Sequence, residues 1–232
     1  RESFRCYSQY GHGRINLEDA IQYSCNTFFV EAGKSTGGPA LWTWASRFGF
    51  GKKTDIDLPY ERAGYLPPLR SDYEVMNASL GQGSLLVTPL QVTIMMSAVA
   101  NGGWVIKPHL LKKITDNNGR TVFEKIPEPR IWLNVPLEYQ SAVQSGLRRV
   151  VTNGTARGAG LNELLVAGKT GTSETSEKDV NHAWFAGYAP FNRPKYCFTI
   201  LAEHTKEHAS DIAVPIAKKL TESLLEMGNR EQ

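Results

Sequence analysis

Apolar residues recur with the period of an α-helix in two long segments of the chain. Leu137 to Val151 carries valine and leucine along one side of such a helix. The closing segment has an apolar residue at nearly every fourth position: Ile212, Ile216, Leu220, Leu224 and Met227. Both patterns predict amphipathic helices that pack one face against a core.

A third helix is predicted to be buried, because it is apolar almost all round. Its start signal is strong: Thr88 can cap the helix, Pro89 occupies the first helical position and Gln91 can complete a capping box. The residues from Leu90 to Ala100 show no continuous polar face, which is typical of a core helix. An earlier helix is predicted to begin at Asn16, with acidic residues in its first turn.

Three strands are predicted near the end of the chain. A short apolar entry leads into Lys169-Thr170-Gly171-Thr172, and apolar runs occupy residues 183–188 and 196–201. The turn Asn192-Arg193-Pro194 predicts that the last two strands pair antiparallel. Three strands followed by a helix indicate an α+β fold, an antiparallel sheet flanked by helices.

Two further predictions concern segments outside this sheet. Residues 104–130 are predicted to form two short strands joined by a turn at Asn117-Asn118-Gly119. A short helix from Leu41 to Phe48 contains Trp42 and Trp44, which are expected to belong to the core.

The composition is that of an ordinary globular chain, since 41% of its 232 residues are hydrophobic and 21% are charged. The net charge of +3 is too small to indicate a nucleic-acid partner. No apolar run has the length of a membrane-spanning helix. Three sparse cysteines do not suggest a disulfide framework. We expect residues 1–232 to belong to a single domain.

The residues around Lys169 combine a cation, two hydroxyls and a glycine on one strand. Gly171 has no Cβ, so a ligand can approach the backbone closely there. Lys169 supplies positive charge, and Thr170 and Thr172 supply rotatable hydroxyls. Such a strand suits a carboxylate or an acyl group that lies along a sheet edge, as in β-augmentation.

Further motifs occur in order around this triplet and around Ser24-x-Asn26. They are Leu17 to Phe29, Leu80-Gly81-Gln82-Gly83, Val87 to Gln91, Gly154-Thr155-Ala156 and Trp184 to Pro190. With Lys-Thr-Gly they resemble the motifs of class B penicillin-binding proteins, most strongly those of the elongation, rod-shape branch. The resemblance covers most of residues 5–205 and implies a penicillin-binding-protein and β-lactamase-like transpeptidase fold, incomplete on its N-terminal side.

The resemblance also implies a role for each matching residue. Ser24 would relay a proton to the leaving nitrogen, and Asn26 would bind the substrate's amide. Lys169 would lower proton affinities nearby and attract the substrate's terminal carboxylate, which the Thr170 and Thr172 hydroxyls would bind. The backbone N–H of Thr172 would supply half of an oxyanion hole.

One motif of that family is missing from this chain. The family's nucleophile is the serine of a Ser-x-x-Lys, and no lysine here has serine three positions before it. The nearest approach is Thr175-Ser176-Glu177-Lys178. Because the nucleophile precedes the Ser-x-Asn motif in the family, we expect this chain to be the C-terminal part of a transpeptidase domain. The nucleophile, a pedestal domain and a membrane anchor are then expected upstream, and the chain alone is expected to be inactive.

The function implied is that of a peptidoglycan D,D-transpeptidase, which cross-links stem peptides ending in D-Ala-D-Ala through an acyl-enzyme and is acylated by β-lactams. No metal or organic cofactor is implied for that reaction. The implied partners are cell-wall elongation proteins, including a membrane glycosyltransferase, at the extracytoplasmic (periplasmic) face of the cytoplasmic membrane. Two alternatives stay open: a related D-Ala carboxypeptidase or β-lactamase, and a non-catalytic penicillin-recognising sensor or scaffold.

A metal site is a separate expectation. Cys6, His12 and Cys25 are residue types that bind zinc, and they lie within 20 residues of one another. Their spacing matches no established zinc motif, and a fourth ligand would come from elsewhere. The alternative interpretation makes Cys25 a small buried apolar residue and His12 an ordinary loop residue.

Overall fold

The computed structural model describes residues 4–230. Its helices are α1 (Leu17–Tyr23), α2 (Asn26–Thr36), α3 (Gly38–Arg47), α4 (Asp72–Ser79), α5 (Pro89–Ala100), α6 (Leu137–Thr152) and α7 (Ala213–Arg230). Its strands are β1 (Trp104–Lys107), β2 (Lys113–Thr115), β3 (Thr121–Glu124), β4 (Glu128–Trp132), β5 (Ala167–Glu174), β6 (Asn181–Ala189) and β7 (Tyr196–Thr205). Within this range, no helix combines the length and the apolar character needed to cross a bilayer.

A three-stranded antiparallel sheet lies at the centre of the fold, in the order β5-β6-β7. Helices α5, α6 and α7 pack against it and bury a shared core, whose largest members include Phe185, Tyr188, Phe198, Leu147, Val150 and Val214. The α+β fold predicted from the sequence is confirmed. Strand β6 is central, so β5 is an edge strand: one side pairs with β6, and the other side is the edge of the sheet.

The start of α5 forms as its sequence predicts, with one addition. Thr88 and Gln91 exchange the two hydrogen bonds of a capping box. The Gln91 side chain is also almost completely buried, and its Nε2 donates to the carbonyls of Gly49, Lys52 and Ala63. A mostly apolar helix therefore anchors the long loop before it through one fully satisfied amide.

The segment over residues 104–130 differs from its prediction, because it contains four strands instead of two. Strands β2 and β3 form an inner hairpin around the predicted turn, and β1 pairs with β4 outside it. Pro129 lies within β4, where proline argues against a strand. The β1–β4 ladder accommodates this proline next to a register shift at Val105 and Ile106.

Two features of α3 and α4 also depart from the sequence analysis. Trp42 and Trp44 were expected in the core and are 41% and 38% exposed. The Arg47 guanidinium lies 4.5 Å from the centre of the Trp44 ring, and this cation–π contact explains how the ring is tolerated at the surface. Helix α4 was not predicted, although Ser71 and Glu74 form a complete capping box at its start.

Candidate active site

Ser24 lies at the junction of α1 and α2, at the C-cap of α1. Its backbone is left-handed, with φ 54° and ψ 47°, and its N–H donates to the carbonyls of Ala20 and Ile21. For a residue other than glycine, this conformation costs about 1–2 kcal/mol. Such strain persists only where surrounding contacts hold the chain in place, as is common at functional sites.

Those contacts come first from α6, which packs closely against α1. A Cβ added at Gly146 would lie 2.9 Å from Cβ of Ile21, so only glycine permits the observed approach. Arg149 extends the same interface by donating to Asp19 at 2.8 Å and by pairing with Glu18. The acidic first turn predicted for α1 therefore docks this helix on α6.

A neighbouring side chain of α6 reaches the segment that leads into the strand carrying Lys169. Arg148 of α6 donates to the carbonyl of Val166 at 2.7 Å, immediately before β5 begins. Arg148 also donates to the carbonyl of Asn162 at 3.0 Å, which holds the loop that leads into the strand. Helix α6 thus connects the Ser24 junction and the edge strand, which are far apart in sequence.

The outcome is a direct contact between the two polar clusters that the sequence singled out. Lys169 Nζ donates a hydrogen bond to Ser24 Oγ across 145 residues of sequence, and a second to the carbonyl of Thr170 at 2.9 Å. Burial lowers the pKa of Lys169 from 10.5 to about 8. Lys169 is therefore mostly protonated at neutral pH, but it releases its proton more readily than an exposed lysine does.

The two threonines after Lys169 differ in their surroundings. The hydroxyl of Thr170 lies 2.6 Å from that of Thr155, in the loop that follows α6. Thr172 is exposed at the sheet edge, and its carbonyl accepts from Gln82 Nε2 at 3.1 Å. Neither Thr155 nor Gln82 was predicted to belong to the site, although both lie within motifs that are visible in the sequence. Motif membership does not show which side chains meet across the fold.

Asn26 is close to Ser24 in sequence but is engaged elsewhere. It is the first residue of α2, and its Nδ2 donates to the carbonyl of Arg5 at 3.3 Å. In the described part of the chain, Asn26 therefore secures the N-terminal segment and makes no hydrogen bond to Ser24 or Lys169. The structure brings Ser24, Lys169 and Thr170 together. Asn26 is close to Ser24 in sequence but does not share these contacts.

Cys6, His12 and Cys25 converge in space. Their ligand atoms all lie within 4.8 Å of one another, and Cys6 Sγ is 3.4 Å from His12 Nδ1. The His12 ring stacks on Tyr23 with centroids 5.2 Å apart, which fixes its orientation. Two thiols and an imidazole at this spacing fit a thiophilic cation such as Zn²⁺. Cys25 lies between Ser24 and Asn26, so a bound metal would hold the Ser24 junction.

The two glycines that flank Lys169 allow a matched test. A Cβ at Gly168 would lie 2.6 Å from the Ala186 carbonyl, whereas one at Gly171 would meet only Trp184, at 3.4 Å. We expect Gly168→Ala to reduce the free energy of unfolding by about 1–3 kcal/mol through overpacking. Gly171→Ala should leave the free energy of unfolding nearly unchanged, because the added methyl group makes only an ordinary contact with Trp184. Denaturant unfolding of both variants checks this, and equal destabilisation by the two changes would contradict it.

A Lys-Thr-Gly strand whose lysine meets a serine from a distant motif agrees with the class of penicillin-binding proteins and β-lactamases, which share these motif types. The family model described as "Transpeptidase: Penicillin binding protein transpeptidase domain" matches residues 2–222. The chain belongs to this family, and the resemblance predicted from its motifs is confirmed.

Individual relatives agree with this assignment. The chain is 30% identical to "Peptidoglycan D,D-transpeptidase MrdA" of Acinetobacter baumannii, over 92% of this chain and 35% of that protein. It superimposes on Pseudomonas aeruginosa PBP2 in complex with WCK 5153 with a TM-score of 0.81 and 33% identity, covering 96% of this chain and 52% of the other. A complex between PBP2 and MreC from Helicobacter pylori gives a TM-score of 0.80 and 29% identity, covering 97% and 43%. The chain thus spans only about a third of the length of its A. baumannii relative, namely 35%.

Proposed function

We propose that this chain is the C-terminal part of the transpeptidase domain of an elongation-type class B penicillin-binding protein, and that the complete protein is a peptidoglycan D,D-transpeptidase. The observation that carries the proposal is the contact between Lys169 and Ser24 at the open edge of β5. This contact brings together the ammonium group of Lys169, whose pKa is lowered, the hydroxyl of Ser24 and the edge of β5 that faces away from β6. Acyl transfer to and from a peptide needs this combination of groups.

In the proposed reaction, a stem peptide ending in D-Ala-D-Ala lies along β5. Its terminal carboxylate binds the hydroxyls of Thr170 and Thr172 beside the charged Lys169. A serine hydroxyl oxygen bonds to the penultimate D-alanine carbonyl carbon, and the C–N bond to the last D-alanine breaks. Ser24 relays a proton to that leaving nitrogen, while the Thr172 N–H stabilises the oxyanion. The amine of a neighbouring stem peptide then bonds to the acyl carbon, the ester bond to the serine breaks, and the amine's proton returns to the serine oxygen.

Two assignments complete the proposed binding site. Asn26 binds the substrate's amide once its hydrogen bond to the Arg5 carbonyl is exchanged for one to the ligand. Gly171 lets the peptide backbone approach the strand, since the fold itself places only an ordinary contact at that position. No cofactor takes part in the proposed acyl transfer.

The attacking serine is proposed to lie outside this chain, because no Ser-x-x-Lys is present within it. The test is covalent labelling with a fluorescent penicillin. We expect the full-length protein to become labelled and the 232-residue chain alone to remain unlabelled. Labelling of the chain at its own mass would contradict the position of the nucleophile. A full-length protein that is never acylated would contradict the proposed enzyme and favour a non-catalytic role. Rapid release of the label would favour a β-lactamase or carboxypeptidase.

Partners and location are proposed on the same basis. The Helicobacter pylori neighbour was solved with MreC, so we propose that the full-length protein also assembles with cell-wall elongation proteins, including a membrane glycosyltransferase. We further propose that the domain lies at the extracytoplasmic face of the cytoplasmic membrane and that an N-terminal helix outside this chain anchors it. Stem peptides and β-lactams are the proposed ligands of the cleft.

We also propose a structural zinc site at Cys6, His12 and Cys25, with its fourth ligand outside the described cluster. Elemental analysis of the purified full-length protein should find about one zinc per chain. Cys25→Ser should lose the metal and reduce thermal stability, because structural zinc contributes to folding. Cys197→Ser is the matched control: Cys197 lies apart from the cluster, and burial raises the pKa of its thiol to about 12. Unchanged zinc content in Cys25→Ser would refute this site.

A further inference from the structure

The open edge of β5 already holds a hydrogen-bond donor from elsewhere in the chain. Gln82 Nε2 donates to the carbonyl of Thr172 at 3.1 Å. Strand β5 pairs with β6 on its other side. The Thr172 carbonyl, which accepts from Gln82, therefore points away from β6 towards the open edge. A peptide that adds a strand to this edge would offer its own N–H to the same carbonyl. Gln82 thus holds the position of a ligand amide.

The turn that carries Gln82 is built to hold it there. Gly81 and Gly83 on either side have φ of +70° and +81°, a left-handed conformation that favours glycine. The backbone N–H of Gln82 donates to the carbonyl of Asn77 at 2.9 Å, at the end of α4. A Cβ at Gly83 would lie only 3.2 Å from Cβ of Asn77, so the turn packs closely on that helix. The half-buried glutamine therefore reaches the strand from a fixed base.

We propose that Gln82 is a specificity-determining residue that occupies the strand edge until a ligand amide displaces it. Ligands that bring an N–H to the Thr172 carbonyl replace this hydrogen bond with one of their own. Ligands without such a donor leave the bond in place and gain nothing from that carbonyl. The cleft then favours acylamino and peptide substrates, because their N–H replaces the Gln82 N–H at the Thr172 carbonyl. This inference rests on the proposed function of the site.

The size of the effect follows from the kind of bond that is exchanged. A hydrogen bond between a neutral amide and a carbonyl changes an equilibrium by roughly 2- to 10-fold when its partners otherwise meet water. Removing the Gln82 donor should therefore accelerate acylation by an amide-bearing ligand by roughly that factor. Acylation by a ligand without the amide should not change, because that ligand does not compete for the carbonyl.

The experiment compares two penams with the full-length protein. One is benzylpenicillin, whose acylamino group carries the N–H, and the other has the same nucleus with bromine in place of that group. We expect Gln82→Met to raise the acylation rate constant of benzylpenicillin by roughly 2- to 10-fold and to leave that of the bromo compound unchanged. Gln82→Asn, which is one methylene too short to reach, should behave similarly. Ser84→Ala, an exposed position in the same turn, should change neither rate.

Each other outcome has a definite meaning. A common change in both rates would show that the turn only shapes the site and would overturn the inference. Slower acylation by benzylpenicillin alone would show that Gln82 binds the ligand instead of being displaced, and unchanged rates would show that the hydrogen bond does not matter. Wild-type protein that neither compound acylates would overturn the proposed function itself, which distinguishes that failure from the other three.

Discussion

Full-length protein with Lys169→Met is expected to be acylated by benzylpenicillin about 10²- to 10³-fold more slowly than wild type, the usual effect of losing one preorganised donor from an active site. Methionine is unbranched and only one atom shorter than lysine, but it removes the charge and both hydrogen bonds, to Ser24 Oγ and to the Thr170 carbonyl. In the proposed mechanism, the substrate carboxylate then loses the cation of Lys169, and Ser24 loses the positive field that lowers its proton affinity.

The control for this substitution is Lys178→Met, which removes an exposed lysine from the loop after β5. It should retain the wild-type rate, because an isolated surface charge contributes little. Stopped-flow or gel-based acylation kinetics on the two variants checks the pair. Equal rates for Lys169→Met and wild type would remove Lys169 from the mechanism.

The same residue should set the alkaline limb of the pH profile. Because the pKa of Lys169 is lowered to about 8, its ammonium form declines as the pH rises through that value. In the proposed mechanism the charged form binds the substrate carboxylate, so the acylation rate of wild type should fall above about pH 8. In Lys169→Arg the rate should be lower overall but should not fall in this range, since a guanidinium stays protonated. A fall at the same pH in both proteins would assign the titration to another group.

Ser24→Ala is expected to slow acylation by about 10²-fold, the lower end of what a positioned proton-transfer group contributes. Alanine removes the hydroxyl that accepts a hydrogen bond from Lys169 and keeps the Cβ atom and the backbone groups of the helix junction. The exposed Ser35 on α2 provides the matched control, and Ser35→Ala should react at the wild-type rate.

The double variant Ser24→Ala/Lys169→Met distinguishes a joint role from two separate ones. The two side chains are in direct contact, so their effects should not add, and the double variant should be about as slow as the slower single variant. A double variant slowed by the product of the two single effects would show that Ser24 and Lys169 act independently. A full rate for Ser24→Ala would exclude it as the proton relay.

Much of the fold could be predicted from local signals. The Thr88 cap, the proline after it and Gln91 define the start of α5, and a period of about four residues defines α7. The outer β1–β4 pair could not be predicted, because its strands meet across more than twenty residues and one contains Pro129. Exposure of Trp42 was missed for a related reason, since composition cannot show which side of a short helix faces the core.

The site was predictable in its residue types but not in its contacts. Lys169 and Ser24 were selected from motifs, and their contact depends on α6, which meets α1 through Gly146 and β5 through Arg148. Nothing local indicates that Gly146 must be small to admit Ile21. The hydrogen bond of Asn26 to Arg5 was equally hidden, because both groups are common and their pairing is set by the path of the N-terminal segment.

Helix α1 has only seven residues, too few to persist without tertiary support. Its packing on α6 and the position of Ile21 in the shared core supply that support. A covalently bound β-lactam that touches both Ser24 and the β5 edge would add a further constraint on this helix. Its amides should then exchange with deuterium more slowly, and this slowing would report occupancy of the cleft.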